Sequence, residues 1–121
     1  MNDGDFGDLV AEGIDALPDK YGAIMDNVVI VISDAPTPEQ REKLQLRPYT
    51  YLFGLYEGVP KTKRTNYGTH LPDKITIFKN DILRACDYDF ERIREQVLKT
   101  VWHEVAHHFG LDDRDIRKRG A

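Results

Sequence analysis

Phe6, Leu9, Val10, Ile14 and Leu17 recur at the spacing that lines one face of a helix. A first helix is therefore expected near the start of the chain, closed before Pro18, because proline cannot extend it. Val28 to Ile32 is a continuous run of branched apolar residues and predicts a strand buried on both faces. Thr37-Pro-Glu-Gln40 sets a capping threonine before a proline at the first helical position and a glutamine at the third, which predicts a short helix. Tyr49 to Tyr56 is rich in aromatics and reads as a second strand, with Gly54 as a candidate bulge. Gly58 to Asp73 reads as a long loop, of a length that in compact domains is often functional.

Lys74 to Lys79 alternates polar with apolar and predicts a strand with one wet face. Ile82-Leu83 predicts a helical turn. Asp89 then caps a long helix, residues 90–109, that stops at Gly110, and the final eight to ten residues predict a short charged helix. Helix and strand alternate early and helices close the chain, which implies an α+β fold with a small mixed sheet packed against helices.

The 121 residues suit a single domain over 1–121 with one core. No segment offers the ~18 apolar residues of a membrane span, and the start lacks the charged and apolar regions of a signal peptide. Cys86 is the sole cysteine, so an intrachain disulfide is excluded and a cytoplasmic location is the expectation. It reads as a small core residue. Net charge is −4. Residues 1–40 hold nine acidic side chains against Lys20 alone, and residues 41–121 hold twelve acidic and sixteen basic ones. That balance is poorly suited to gripping nucleic acid. Lys61, Lys63 and Arg64, and Arg114, Arg117, Lys118 and Arg119, read as solvated charge.

The chemistry lies in His103-Glu-Val-Ala-His-His-Phe-Gly-Leu-Asp-Asp113. Its H-E-x-x-H core is a helix-borne zinc motif. Residues four apart on a helix differ by about 40° in direction and ~6 Å in rise, so His103 and His107 can hold one ion between them. Glu104 flanks that position as a general base for a metal-activated water. A catalytic zinc usually takes three protein ligands and leaves one position open. Asp113 is the expected third ligand, with Asp112 a less favoured substitute. On a continued helix Asp113 lies about 240° from His107, out of reach. Gly110 can take the left-handed conformation that ends the helix and turns the chain back.

The helix itself supports an open site. With Phe90 at zero, Ile93, Val97, Val101, Val105 and Phe109 fall within an arc of about 160°, while His103 and His107 lie outside it beside Gln96 and Thr100. His108 falls on the apolar face and reads as a buried, hydrogen-bonded histidine. His70 and Tyr67 read as polar loop residues, with donation to a transition-state oxyanion as the functional alternative.

At His103-Glu104-x-x-His107-x-x-Gly110-x-x-Asp113 the chain resembles the zincin metallopeptidases, in the Asp-type variant of the metzincin-like motif. Together with Leu71-Pro-Asp-Lys-Ile-Thr-Ile-Phe before the helix, this resembles the minimal zincin-like proteins of bacteria from about residue 25 onward. The resemblance implies a mixed sheet packed on an active-site helix, one zinc ion held by His103, His107 and Asp113, and Glu104 as base. The two methionines are Met1 and Met25, so none follows Asp113, where metzincins carry a methionine-containing turn.

The leading expectation is thus a zinc-dependent hydrolase of peptide bonds acting on a peptide or unfolded segment. Lys74–Lys79 and the segment before it are the candidate sheet edge for pairing with substrate. Two alternatives remain open. The His-x3-His-x5-Asp spacing is similar to the His-x3-His-x5-His spacing of a bacterial endoribonuclease family; alternatively the domain is a non-catalytic metal-binding one, with a structural metal or a degenerate peptidase site used for binding. The His2Asp donor set also suits iron, cobalt or manganese.

Overall fold

The computed structural model describes residues 1–19, 28–58 and 73–110. Their order is α1 (Asp3–Asp15), β1 (Val28–Ser33), α2 (Pro38–Lys43), β2 (Gly54–Glu57), β3 (Asp73–Phe78), α3 (Lys79–Ala85) and α4 (Phe90–His108). The fold is α+β. The expected C-terminal helix and the loop residues Tyr67 and His70 lie outside the described residues.

The strands form a mixed sheet in the order β1-β3-β2. β1 runs parallel to β3, pairing Val28 with Asp73 and Ser33 with Phe78. β2 runs antiparallel to β3, pairing Gly54 with Ile77 and Glu57 with Lys74. The central position of β3 corrects two expectations. It is not a sheet edge, and it has no continuous wet face: Thr76 and Phe78 are as buried as Ile75 and Ile77, leaving Lys74 exposed. A strand flanked on both sides can be covered on both faces, and polar-apolar alternation alone does not reveal that.

β1 departs in the opposite sense. Among the described residues it pairs with β3 alone, and Val29 and Ile32 are 41% and 38% exposed. The aromatic run from Tyr49 also contributes less strand than expected, because β2 begins only at Gly54. Tyr49 has a left-handed φ of +66°, which removes it from strand geometry. The loop it belongs to is pinned by Arg41, whose guanidinium donates to the carbonyls of Arg47 and Thr50.

Asn2, which the apolar spacing did not single out, caps α1 by accepting from the Asp5 amide. Other local signals act where they were read. Thr37 and Gln40 form a reciprocal capping box at α2. Asp89 caps α4 through the Arg92 amide. At the far end of α4, Gly110 adopts φ +78° and its amide donates to the His107 carbonyl.

α4 lies between α1 and the sheet. Ile93, Val97, Val101 and Val105 are buried with Phe6, Leu9, Val10, Ile75 and Ile77 in one cluster. Phe90, expected to begin the apolar face, is half-exposed at the first helical turn. Cys86 is buried, and the desolvation of its thiol raises its pKa, consistent with a core role. Arg94 on α4 forms an ion pair with Glu12 of α1. Lys79, buried at the start of α3, donates from Nζ to Asp3 Oδ1 at 2.7 Å.

Phe6 is fully buried where α1 meets the core, so Phe6→Ala removes both transfer energy and packing. We expect a loss of about 3–5 kcal/mol in urea unfolding. Lys79 holds the Asp3 carboxyl below its ordinary pKa through a hydrogen bond and charge. A depressed carboxyl pKa stabilises the fold above the unfolded value, and that stabilisation is lost as pH falls through the folded value. Asp3→Asn therefore lowers the melting temperature near neutral pH, and the gap to wild type closes on acidification below the folded pKa.

Candidate metal centre

The helical spacing that set His103 and His107 on one side is realised in α4. Their ring centroids are 4.6 Å apart at an interplanar angle of 68°. Both side chains are half-buried and face a groove of about 610 Å³. Glu104 is buried between this pair and the sheet, with Oε1 3.4 Å from His107 Nδ1. Potential ligand atoms of His103, Glu104 and His107 lie within 4.8 Å of one another. Residues with donor atoms of this kind, gathered this closely on one helix, are the ones that would hold the ion. Two imidazoles with an adjacent carboxylate are also the donor chemistry a divalent transition metal takes. The residues present fit such an ion.

Asp113 and its substitute Asp112 lie outside the described residues. The left-handed turn at Gly110, which the return of a third ligand requires, is in place.

One wall of the groove is α4, through Gln96, Lys99, Thr100, His103, Glu104 and His107. The other runs along Tyr51 to Tyr56, with Leu44 beside it. Gln96 Nε2 donates to Thr100 Oγ1 at 3.0 Å, fixing the polar stripe that precedes the histidines. Opposite, the Leu52 amide donates to buried Asp81 at 2.9 Å, which ties the strand approach to α3.

Gly54 is a site residue that sequence reasoning misassigned. It pairs in regular register with Ile77, so it is no bulge. A Cβ there would lie 2.7 Å from Thr100 Cγ2 and 2.9 Å from Glu104 Cγ. The strand approaches the helix so closely that a side chain has no room. The signal was available in the helical projection: on the Phe90 scale Glu104 falls at about 320°, inside the apolar arc, and Thr100 at its border. A carboxylate in that arc has to meet the sheet, and a glycine in an aromatic run marks where.

His108 is fully buried, as expected, and its partner is Asp73, the first residue of β3. His108 Nδ1 lies 2.6 Å from Asp73 Oδ2. The same oxygen accepts from the Tyr56 hydroxyl at 2.8 Å. Sequence reasoning placed Asp73 in a loop and gave it no role.

One helix thus carries three residues that could hold a metal ion, beside the strand that pairs antiparallel with the centre of a mixed sheet. The chain belongs to the zincin-like metallopeptidase family, whose model matches residues 25–121. In fold it is similar to a conserved hypothetical protein from Thermus thermophilus, at a TM-score of 0.62 and 20% identity, covering 90% of this chain and 94% of that one. No curated protein matches it. No helix among the described residues is long and apolar enough to cross a membrane.

The close approach at Gly54 is testable through packing alone. Gly54→Ala forces its new methyl against Thr100 and Glu104, and we expect a loss of about 1–3 kcal/mol in thermal or urea unfolding. Thr100→Ser removes the nearer methyl while keeping a hydroxyl for Gln96. The double variant is expected to recover part of the loss, as residues in contact do not act additively.

Proposed function

We propose that the chain is a zinc-dependent hydrolase of peptide bonds, with His103, His107 and Asp113 as the metal ligands and Glu104 as general base. The observation that carries this reading is the placement of Glu104: a buried carboxylate beside two imidazoles, at the floor of an open groove. When bound, zinc supplies Lewis acidity, which polarises a carbonyl and acidifies water. Glu104 takes one proton as water oxygen bonds to the scissile carbonyl carbon. It returns that proton to the amide nitrogen as the carbon–nitrogen bond breaks, leaving a carboxylic acid and an amine.

The groove's shape supports a peptide as substrate. Among the described residues β2 pairs only with β3, so its outer edge can pair with an extended backbone. Leu44, Tyr51, Phe53 and Leu55 give the groove apolar walls, and Lys99 is the one cation among its described lining residues. A polyanionic nucleic acid finds little to neutralise it there.

Glu104→Gln keeps the shape of the side chain and removes its basicity. The expected outcome is retained zinc, measured by metal analysis, with peptide cleavage reduced by ~10²-fold or more. A casein digest and an RNA digest run in parallel, with and without chelator, separate the two hydrolase chemistries. Chelator-sensitive cleavage of RNA alone, or unchanged peptide turnover in Glu104→Gln, overturns the proposal.

A further inference from the structure

His107 stands in the last turn of α4, one residue before the helix ends. Helix termini lack intrahelical partners and open more readily than helix centres. An open last turn would carry His107 away from His103. The next residue, His108, lies about 100° further round the helix and is fully buried, with Nδ1 2.6 Å from Asp73 Oδ2. Asp73 is itself 3% exposed and is the first residue of the central strand, which pairs with a neighbour on each side. A carboxylate accepting at that distance makes a charge-assisted bond, roughly twice as strong as a neutral one.

The same Asp73 oxygen receives the Tyr56 hydroxyl at 2.8 Å. Tyr56 lies on β2 and lines the groove. One buried carboxylate therefore joins three elements: the last turn of the metal helix, the groove-lining strand and the sheet's centre. The chain is shaped around it, because a Cβ at Gly58, whose φ is +152°, would come within 2.5 Å of Asp73 Oδ1.

We infer that Asp73 is a positioning residue for the metal centre, holding His107 in ligating geometry through His108 and registering the groove wall to it through Tyr56. This rests on His103 and His107 being metal ligands, and it is independent of whether the loaded protein cleaves peptides. It assigns the second histidine of His107-His108 to support of the site, while the first is the ligand. It also gives Tyr56 a tie to the metal helix, so displacement of the groove wall and loosening of His107 are coupled.

The test uses cobalt(II) as probe, because its visible spectrum reports ligand geometry. The apo melting temperature is measured alongside. Asp73→Asn keeps the shape of the side chain and removes its charge. It is expected to weaken cobalt affinity by roughly ten- to a hundredfold and to change the intensity of the visible bands. Tyr56→Phe, a gentler change that retains the His108–Asp73 bond, is expected to shift affinity in the same direction by less. It serves as the deciding variant should Asp73→Asn fail to fold. Asp3→Asn, remote from the centre, is expected to lower the melting temperature with affinity and spectrum unmoved. Asp73→Asn or Tyr56→Phe variants that melt earlier yet bind cobalt with wild-type affinity and spectrum overturn the inference and reduce the network to a structural one. A wild-type chain that binds no cobalt or zinc overturns the metal reading itself, a result distinct from the first.

Discussion

The approach of β2 to α4 at Gly54 is the constraint on which the site depends. A strand backbone reaches the helix at the turn that carries Thr100 and Glu104, so closely that a methyl group has no space. That contact buries Glu104 while leaving His103 and His107 partly open to the groove. A bulkier residue at position 54 would separate the two walls and let water reach both sides of the carboxylate. The glycine thus sets the polarity gradient across one helical turn, from sheet contact at Glu104 to solvent at His103.

The helix satisfies two demands at once. Its apolar arc meets α1 and the sheet, and its polar stripe meets the groove. The buried ionisable groups are placed where partners exist. Asp73 accepts from a tyrosine hydroxyl and a histidine, and Asp81 accepts a backbone amide. Removal of one partner from such a network leaves a desolvated charge, which destabilises more than the intact pair stabilises.

Much of this was legible in the residues. Helices announced themselves by period and caps: the apolar spacing of α1, the Thr37–Gln40 box and the Asp89 cap all lie where they were expected. These signals are local, acting between residues three or four apart. The strands were legible as strands, but their order was not. Whether β1 or β3 lies in the centre depends on pairing between distant segments, and neither Val28–Ile32 nor Lys74–Lys79 encodes its neighbours. The side chains of the H-E-x-x-H core come together because they share one helix. Gly54, Asp73 and Tyr56 reach the site from other elements through tertiary contact; the glycine in the aromatic run was an indirect sign of the first, and chain position gave none of the other two. The reading of Asp113 rests on a turn whose first step, the left-handed Gly110, is visible.

The family match begins at residue 25, yet α1 lies before it and is part of the core. Phe6, Leu9 and Val10 are buried with the apolar face of α4, and Gly13 lets the two helices draw together, its Cβ position standing 3.1 Å from Val101. Asp3 and Glu12 add ionic ties to Lys79 and Arg94. The matched span therefore omits part of the hydrophobic core of this chain. A fragment cut at the family boundary would present the back of α4 to solvent as an oily strip, prone to self-association before any catalytic property could be assessed.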